Sequence, residues 1–260
     1  PISLMGLLLR VGLDWRLLQS IGMAFLAIGI FLLLLRVVPQ LGQIFSSRTL
    51  QLGSAFGNTG YFGIPISLAL LPGEALSFSI GYDLGATILI WSLGPVLLAR
   101  PSSSFEPSQR FFKAFTSSPA IKGLVGTFIV QLTPWNTHIA SMLWIPSRIV
   151  IVLALLVVGM RLGWLGTSNY TIVSSFSHGI KVSLLFKLVI FPMLMLGLCW
   201  AFSLPMLMRQ AFVLQAAAPT AISVLLMAEA TGRDQGNAAV LVVWSTLLAV
   251  ITIPLWSYVL

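Results

Sequence analysis

Residues 48–71 read RTLQLGSAFGNTGYFGIPISLALL. After Arg48 the stretch carries no charge, and it is long enough to cross a membrane, since a helix needs roughly 20 mostly apolar residues to span the hydrocarbon core. Its centre is nevertheless built to break a helix. Gly53, Gly57, Gly60 and Gly63 recur every three or four residues, Asn58-Thr59 sits among them, and Pro65 follows. Glycine costs about 1 kcal/mol in a helix interior and proline about 3, so a span holding all of these at mid-membrane is predicted to be interrupted. Backbone N–H and C=O groups released at such a break survive in lipid only beside protein or a cavity. The half-helix beyond the break then offers a partial positive charge to an anion. Small-xxx-small spacing alone lets helices pack closely without any ligand. That accounts for Gly53, Gly57 and Gly60 but not for Asn58-Thr59 or Pro65.

The rest of the chain suits the same environment. Of 260 residues, 58% are hydrophobic and 8% charged, and the mean hydropathy is +1.01. A soluble domain carries about 25% charged residues, so composition excludes a water-facing enzyme and a disordered chain. Cys199 is the only cysteine, which excludes a disulfide-stapled module. The apolar runs are continuous rather than alternating, which favours helices over a barrel, and the length allows about nine crossings with short loops. Spans are predicted over 1–12, 15–38, 48–71, 75–99, 119–134, 140–163, 180–203, 208–231 and 235–260, with loops at 36–48, 135–138 and 164–179. The stretch 100–118, RPSSSFEPSQRFFKAFTSS, reads as an extramembrane linker. The chain opens at Pro1 on what reads as the tail of a membrane helix, so an N-terminal helix is expected to be missing.

Lys and Arg number 14 against 6 Asp and Glu, a formal net charge of +8. Arg36, Arg48, Arg100, Arg110, Lys113, Arg161, Lys181 and Arg233 fall on the side of the 100–118 linker, against Arg10, Arg16, Arg148 and Arg209 on the other. By the positive-inside rule the linker is cytoplasmic and the C-terminus faces outward. No basic run exceeds two residues, so the partner implied is the lipid bilayer rather than nucleic acid. The expected location is the inner cell membrane, as a multi-pass protein.

Residues 209–221, RQAFVLQAAAPTA, echo the first stretch at a fixed offset: Arg48 matches Arg209, Thr59 matches Thr220, and Gly57 and Gly60 stand opposite Ala218 and Ala221. Each segment is followed by a turn and a further span with a proline near its end, Pro95 and Pro254. Pro219-Thr220 can break the second segment, with Gln215 and Ser223 a turn away on either side. Five spans before the linker and five after would invert the second half relative to the first. The expected organisation is 1–99 as a first, incomplete repeat, 100–118 as the linker, and 119–260 as a second repeat.

GNTGYFGIPISLAL, the following GYDLGATILIWSLGP, QAAAPTAISVLLMAEATG and STLLAVITIPLW together resemble the auxin efflux carrier family, in its short bacterial and cyanobacterial form. The resemblance implies an all-α membrane protein of ten helices in two inverted five-helix repeats. It implies two broken crossover helices, here 48–71 and 208–231, and a scaffold unit beside a mobile transport unit, as in sodium–bile acid symporters and sodium–proton antiporters. The function expected is a secondary transporter moving a small organic anion by alternating access. Its midplane site would be formed by Asn58, Thr59, Gly60, Gly63 and Pro65 facing Gln215, Pro219 and Thr220. A gated channel or a non-transporting membrane sensor is the alternative, and a homodimer is the assembly considered.

Charges inside a membrane cost at least about 2.5–3.5 kcal/mol each at its centre, which makes them functional candidates. Asp83 lies in GYDLG, Lys187 in LLFKLV and Glu229 in MAEATG. These are the candidates for coupling to a proton or sodium, against bland readings as an interfacial hydrogen bond, a snorkelling ammonium and a boundary acid. His138 and His178 fall in loops, and two lone histidines with one cysteine make no metal site. No cofactor is expected. GxSxG, HExxH and P-loop patterns are absent. GYDLG matches half of an intramembrane aspartyl protease, but Asp14 and Asp234 both fall in predicted loops. No enzyme is expected.

Overall fold

The computed structural model describes residues 2–98, 115–167 and 177–260. They form thirteen α-helices, with two π-helical turns and a short 3-10 turn between them. Helix α1 (Ile2–Val11) leads through Gly12, at φ +86°, into α2 (Trp15–Val37), whose first turn is capped by Asp14 accepting from Leu17 N–H at 3.0 Å. The short α3 (Pro39–Ile44) follows, then α4 (Arg48–Ala55), capped by Ser47, and α5 (Ile64–Leu70). Helix α6 spans Leu76–Leu98. Beyond the linker region come α7 (Pro119–Gln131), α8 (Asn136–Thr167), α9 (His178–Leu185), α10 (Phe191–Ala201), α11 (Met206–Ala217), α12 (Ile222–Thr231) and α13 (Gln235–Val259).

Among the described residues, four stretches are long and apolar enough to cross a membrane: Trp15–Val37, Gly73–Leu98, His178–Ala201 and Gln235–Val259. Their lipid-compatible surface shows in exposed residues such as Leu33, Leu185, Met193, Leu247 and Ile251. In water these side chains would be a liability; against hydrocarbon they cost nothing.

Several predicted boundaries move. Residues 36–48 were expected as loop, yet Pro39 opens α3, where its fixed φ and missing N–H suit a first helical turn. The expected turn at 135–138 shortens, because Asn136 and Thr137 already belong to the first turn of α8, a place where such side chains are at home. Helix α8 also continues to Thr167, past the predicted end at 163. The linker prediction falls largely on 99–114, outside the described residues, as does 168–176 of the 164–179 loop.

Packing separates two groups of helices. Helix α1 lies against α7 and α8. The remaining helices share a large core that includes Phe31, Phe56, Tyr82, Phe191, Phe212 and Leu241. A smaller cluster, with Leu7, Leu8, Ile64, Ile80, Leu84 and Ala120, joins the two groups. The most extensive helix pairing among the described residues is α2 on α6. A Cβ on Gly81 would come within 2.6 Å of Ser20 Cβ, and one on Gly85 within 3.0 Å of Ala24 Cβ. Small-xxx-small packing, weighed above for the glycines of 48–71, is therefore the reason for the glycines of GYDLG.

Candidate functional site

Helix α4 stops at Ala55, and Phe56 turns extended, with φ −97° and ψ 122°. Asn58 takes φ −77° and ψ 63°, and the chain resumes as a π turn over Thr59–Gly63, in which Phe62 and Gly63 N–H both reach Asn58 O at 3.1 Å. Pro65 stands in the first turn of α5, where it needs no N–H partner. The second segment is interrupted in the same manner. Helix α11 stops at Ala217, Ala218 and Ala221 are extended, and α12 starts at Ile222.

The two extended pieces run antiparallel, paired at Gly57 and Thr220. Asn58 N–H donates to Pro219 O at 2.6 Å, and Ala221 N–H donates to Phe56 O at 3.0 Å. Thr220 fastens the junction twice more: its N–H donates to Ser245 Oγ at 3.0 Å and its hydroxyl to Gly53 O at 2.9 Å. Breaking a helix in lipid leaves polar backbone without water, and here each interruption supplies partners to the other.

Two glycines of GNTG make room for charge. A Cβ on Gly57 would stand 3.0 Å from Lys187 Nζ, and one on Gly60 would stand 3.0 and 3.2 Å from the two Asp83 carboxylate oxygens. Thr59 donates to Asp83 Oδ1 at 2.6 Å. Lys187 donates to Ala216 O at 2.7 Å. Asp83 and Lys187 thus meet the same short segment three residues apart, each held by its own partner.

A cavity of about 250 Å³ opens beside the junction. Asn58, Thr59, Gly60, Tyr61 and Asp83 line it from the first segment and α6, and Ala221, Ile222 and Ser223 from the second. Thr87 and Trp91 continue the α6 wall, while Leu4, Leu7, Ala120 and Val150 close it from α1, α7 and α8. The cavity therefore lies between the two groups of helices. The starts of two helical stretches, at Thr59 and at Ile222, reach the same space, so their N–H ends and dipoles favour negative charge at those two points, while the Asp83 carboxylate on the α6 wall opposes it.

Of the predicted site residues, Asn58, Thr59, Gly60 and Asp83 line this cavity, and Gly63, Pro65, Gln215, Pro219 and Thr220 stand outside its lining. Gln215 Nε2 donates to Ser67 Oγ at 3.3 Å, and its amide oxygen occupies the space left by the missing side chain of Gly63. Pro219 and Thr220 build the junction itself. Lys187 is fully buried rather than snorkelling, and Glu229 lies near the C-terminal end of α12, where its carbonyl accepts from Gln235 at 3.5 Å. Thr87 and Ser223 went unpredicted as site residues. Thr87 stands four residues after Asp83 and so on the same helix face, a signal that was available.

Comparison with known proteins agrees with a membrane role. A family model described as membrane transport protein matches residues 8–257. An uncharacterized transporter of Methanothermobacter thermautotrophicus is 27% identical over 212 residues, covering 81% of this chain and 67% of its own length.

Proposed function

The chain belongs to the membrane transport protein family, that of the auxin efflux carriers, and on that premise we propose that it is a secondary transporter moving a small organic anion by alternating access. The observation that carries this reading is the convergence of two helix starts, Thr59 and Ile222, with Asn58 and Ser223 on one cavity between the two groups of helices. Residues 1–99 and 119–260 act as inverted repeats joined by a cytoplasmic linker, and the interrupted stretches 48–71 and 208–231 are their crossover helices.

In this reading the carboxylate of the substrate lies near Asn58, Ile222 and Ser223, where N–H donors and helix dipoles face it. Its apolar body lies against Leu4, Leu7, Ile90 and Trp91. Asp83 is a positioning residue: it fixes the Thr59 hydroxyl and, being negative, keeps the anion toward the α12 start. An interior-negative potential drives an anion outward by about 2.3 kcal/mol per charge per 100 mV, a roughly 50-fold gradient. Export therefore requires no coupled ion, whereas uptake does.

Reconstitution tests the reading. Proteoliposomes holding the full chain should accumulate or release a labelled small carboxylate with saturable kinetics. Asn58→Ala should abolish that flux and leave the thermal unfolding midpoint close to the parent. Flux unchanged in Asn58→Ala would remove the site, and unsaturable flux with single-channel currents would replace the transporter by a channel.

A further inference from the structure

Lys187 is 0% exposed, although it lies in a stretch long enough to cross the membrane, His178–Ala201. Local sequence explains how it is turned inward. Pro192 has no N–H for the carbonyl of Leu188, which instead accepts the indole N–H of Trp256 at 2.9 Å. Just before this proline the helix widens into a π turn over Phe186–Ile190 that contains Lys187, and such single-turn bulges redirect side chains and gather at functional sites.

What surrounds the ammonium is the environment of a bound monovalent cation. Ala216 O, which accepts from it at 2.7 Å, belongs to the last turn of α11. That carbonyl has lost its helical donor, because Ala218 is extended and the N–H of Thr220 goes to Ser245. Unpaired carbonyls at a helix C-terminus carry roughly half a negative charge, and in interrupted membrane helices such ends coordinate sodium. The face of Phe191 lies 4.8 Å from Nζ, a second cation-favouring surface. Gly57 closes the other side, leaving just the room that the ammonium fills. The acid that meets the same segment, Asp83 from α6, is held by Thr59 at Gly60.

We propose that Lys187 is a resident cation, its ammonium standing at the carbonyl end of α11 beside Gly57 where a carbonyl-lined junction would otherwise take a monovalent cation from solution. The junction is then charge-compensated from within and is indifferent to alkali ions. The consequence for coupling rests on the transporter reading above; the occupancy of the cation position does not.

The test reads thermal unfolding of the purified full chain in chloride salts of sodium, potassium and choline, with no flux measured, so that its failure is distinct from failure of the transport assay. The parent should unfold at one midpoint in all three salts. Lys187→Met keeps the stem and removes the charge, and its midpoint should fall by several degrees. Lys187→Ala should fall further in choline and recover in part with butylammonium or sodium. A parent midpoint that shifts with the alkali ion would overturn the proposal, as would a Lys187→Met protein as stable as the parent, or a Lys187→Ala protein that neither cation restores. Should neither variant fold, the parent's comparison among the three salts decides.

Discussion

At the residue scale, the GNTG sequence is a pair of vacancies for side chains that approach from other helices. Gly60 can be tested directly, because a methyl there would stand 3.0 Å from an Asp83 oxygen and the carboxylate would have to give way by a few tenths of an ångström, against the bond it accepts from the Thr59 hydroxyl. Gly60→Ala is expected to weaken anion binding by on the order of tenfold, about 1.4 kcal/mol, as read by titration calorimetry or by the concentration dependence of flux. Asp83→Asn should act in the opposite direction. Its amide oxygen still accepts from Thr59, so the fold is kept, while a fixed negative charge leaves the cavity. Across about 8 Å at an effective dielectric near 20 that charge opposes an anion by about 2 kcal/mol, so affinity for a carboxylate should rise by roughly 30-fold. Asp83→Ala, which leaves the buried hydroxyl of Thr59 without its acceptor, should lose both stability and binding. A weaker carboxylate affinity in Asp83→Asn would mean that the acid contacts the substrate itself.

At the element scale, two interrupted stretches are each unstable alone and are completed by one another. Thr220 is the fastening: N–H to Ser245, hydroxyl to Gly53 O, with Asn58 and Ala221 bonded on either side. Thr220→Val preserves shape and removes the hydroxyl, leaving Gly53 O without that donor. A buried polar group left unsatisfied costs about 1–3 kcal/mol, and at this chain length each kcal/mol moves the unfolding midpoint by about 2–4 °C. Ser245→Ala removes the acceptor of the Thr220 N–H and should cost a similar amount. Because both changes strike one junction, their effects should be less than additive in the double variant. Full additivity, measured by thermal unfolding of the four proteins, would mean that the two bonds act independently.

At the scale of the whole molecule, the sequence made the helices legible and left their partners hidden. Apolar length marked the spans, and Gly, Pro and intramembrane charge marked 57–65, Asp83 and Lys187, since these residue types are costly in a lipid-embedded helix wherever they occur. The walls of the cavity carry no such mark. Leu4, Leu7, Ala120 and Val150 line it, yet an apolar side chain facing lipid and one facing a cavity are the same residue types. Gln215 shows the converse: its amide points into the bundle, where Nε2 donates to Ser67 and the amide oxygen fills the gap at Gly63 without a hydrogen-bond partner among the described residues, so polarity in a span does not by itself mark a cavity wall.

The walls nonetheless make a prediction that belongs to the whole molecule. If α1, α7 and α8 form one body and the interrupted helices another, transport requires the cavity to open alternately on each side as the bodies shift. Cysteines placed at Ala120 and Leu226 line the cavity from α7 and from α12, and the native Cys199 is buried, so a short thiol-cleavable cross-linker should react at the introduced pair. Cross-linking is expected to stop flux in proteoliposomes, and reduction to restore it, while each protein with one introduced cysteine stays active under the same treatment. A cross-linked protein that still moves its anion at the uncross-linked rate would show that the two groups of helices do not need to move apart. The cavity would then be a fixed path, and the channel alternative would take the place of alternating access.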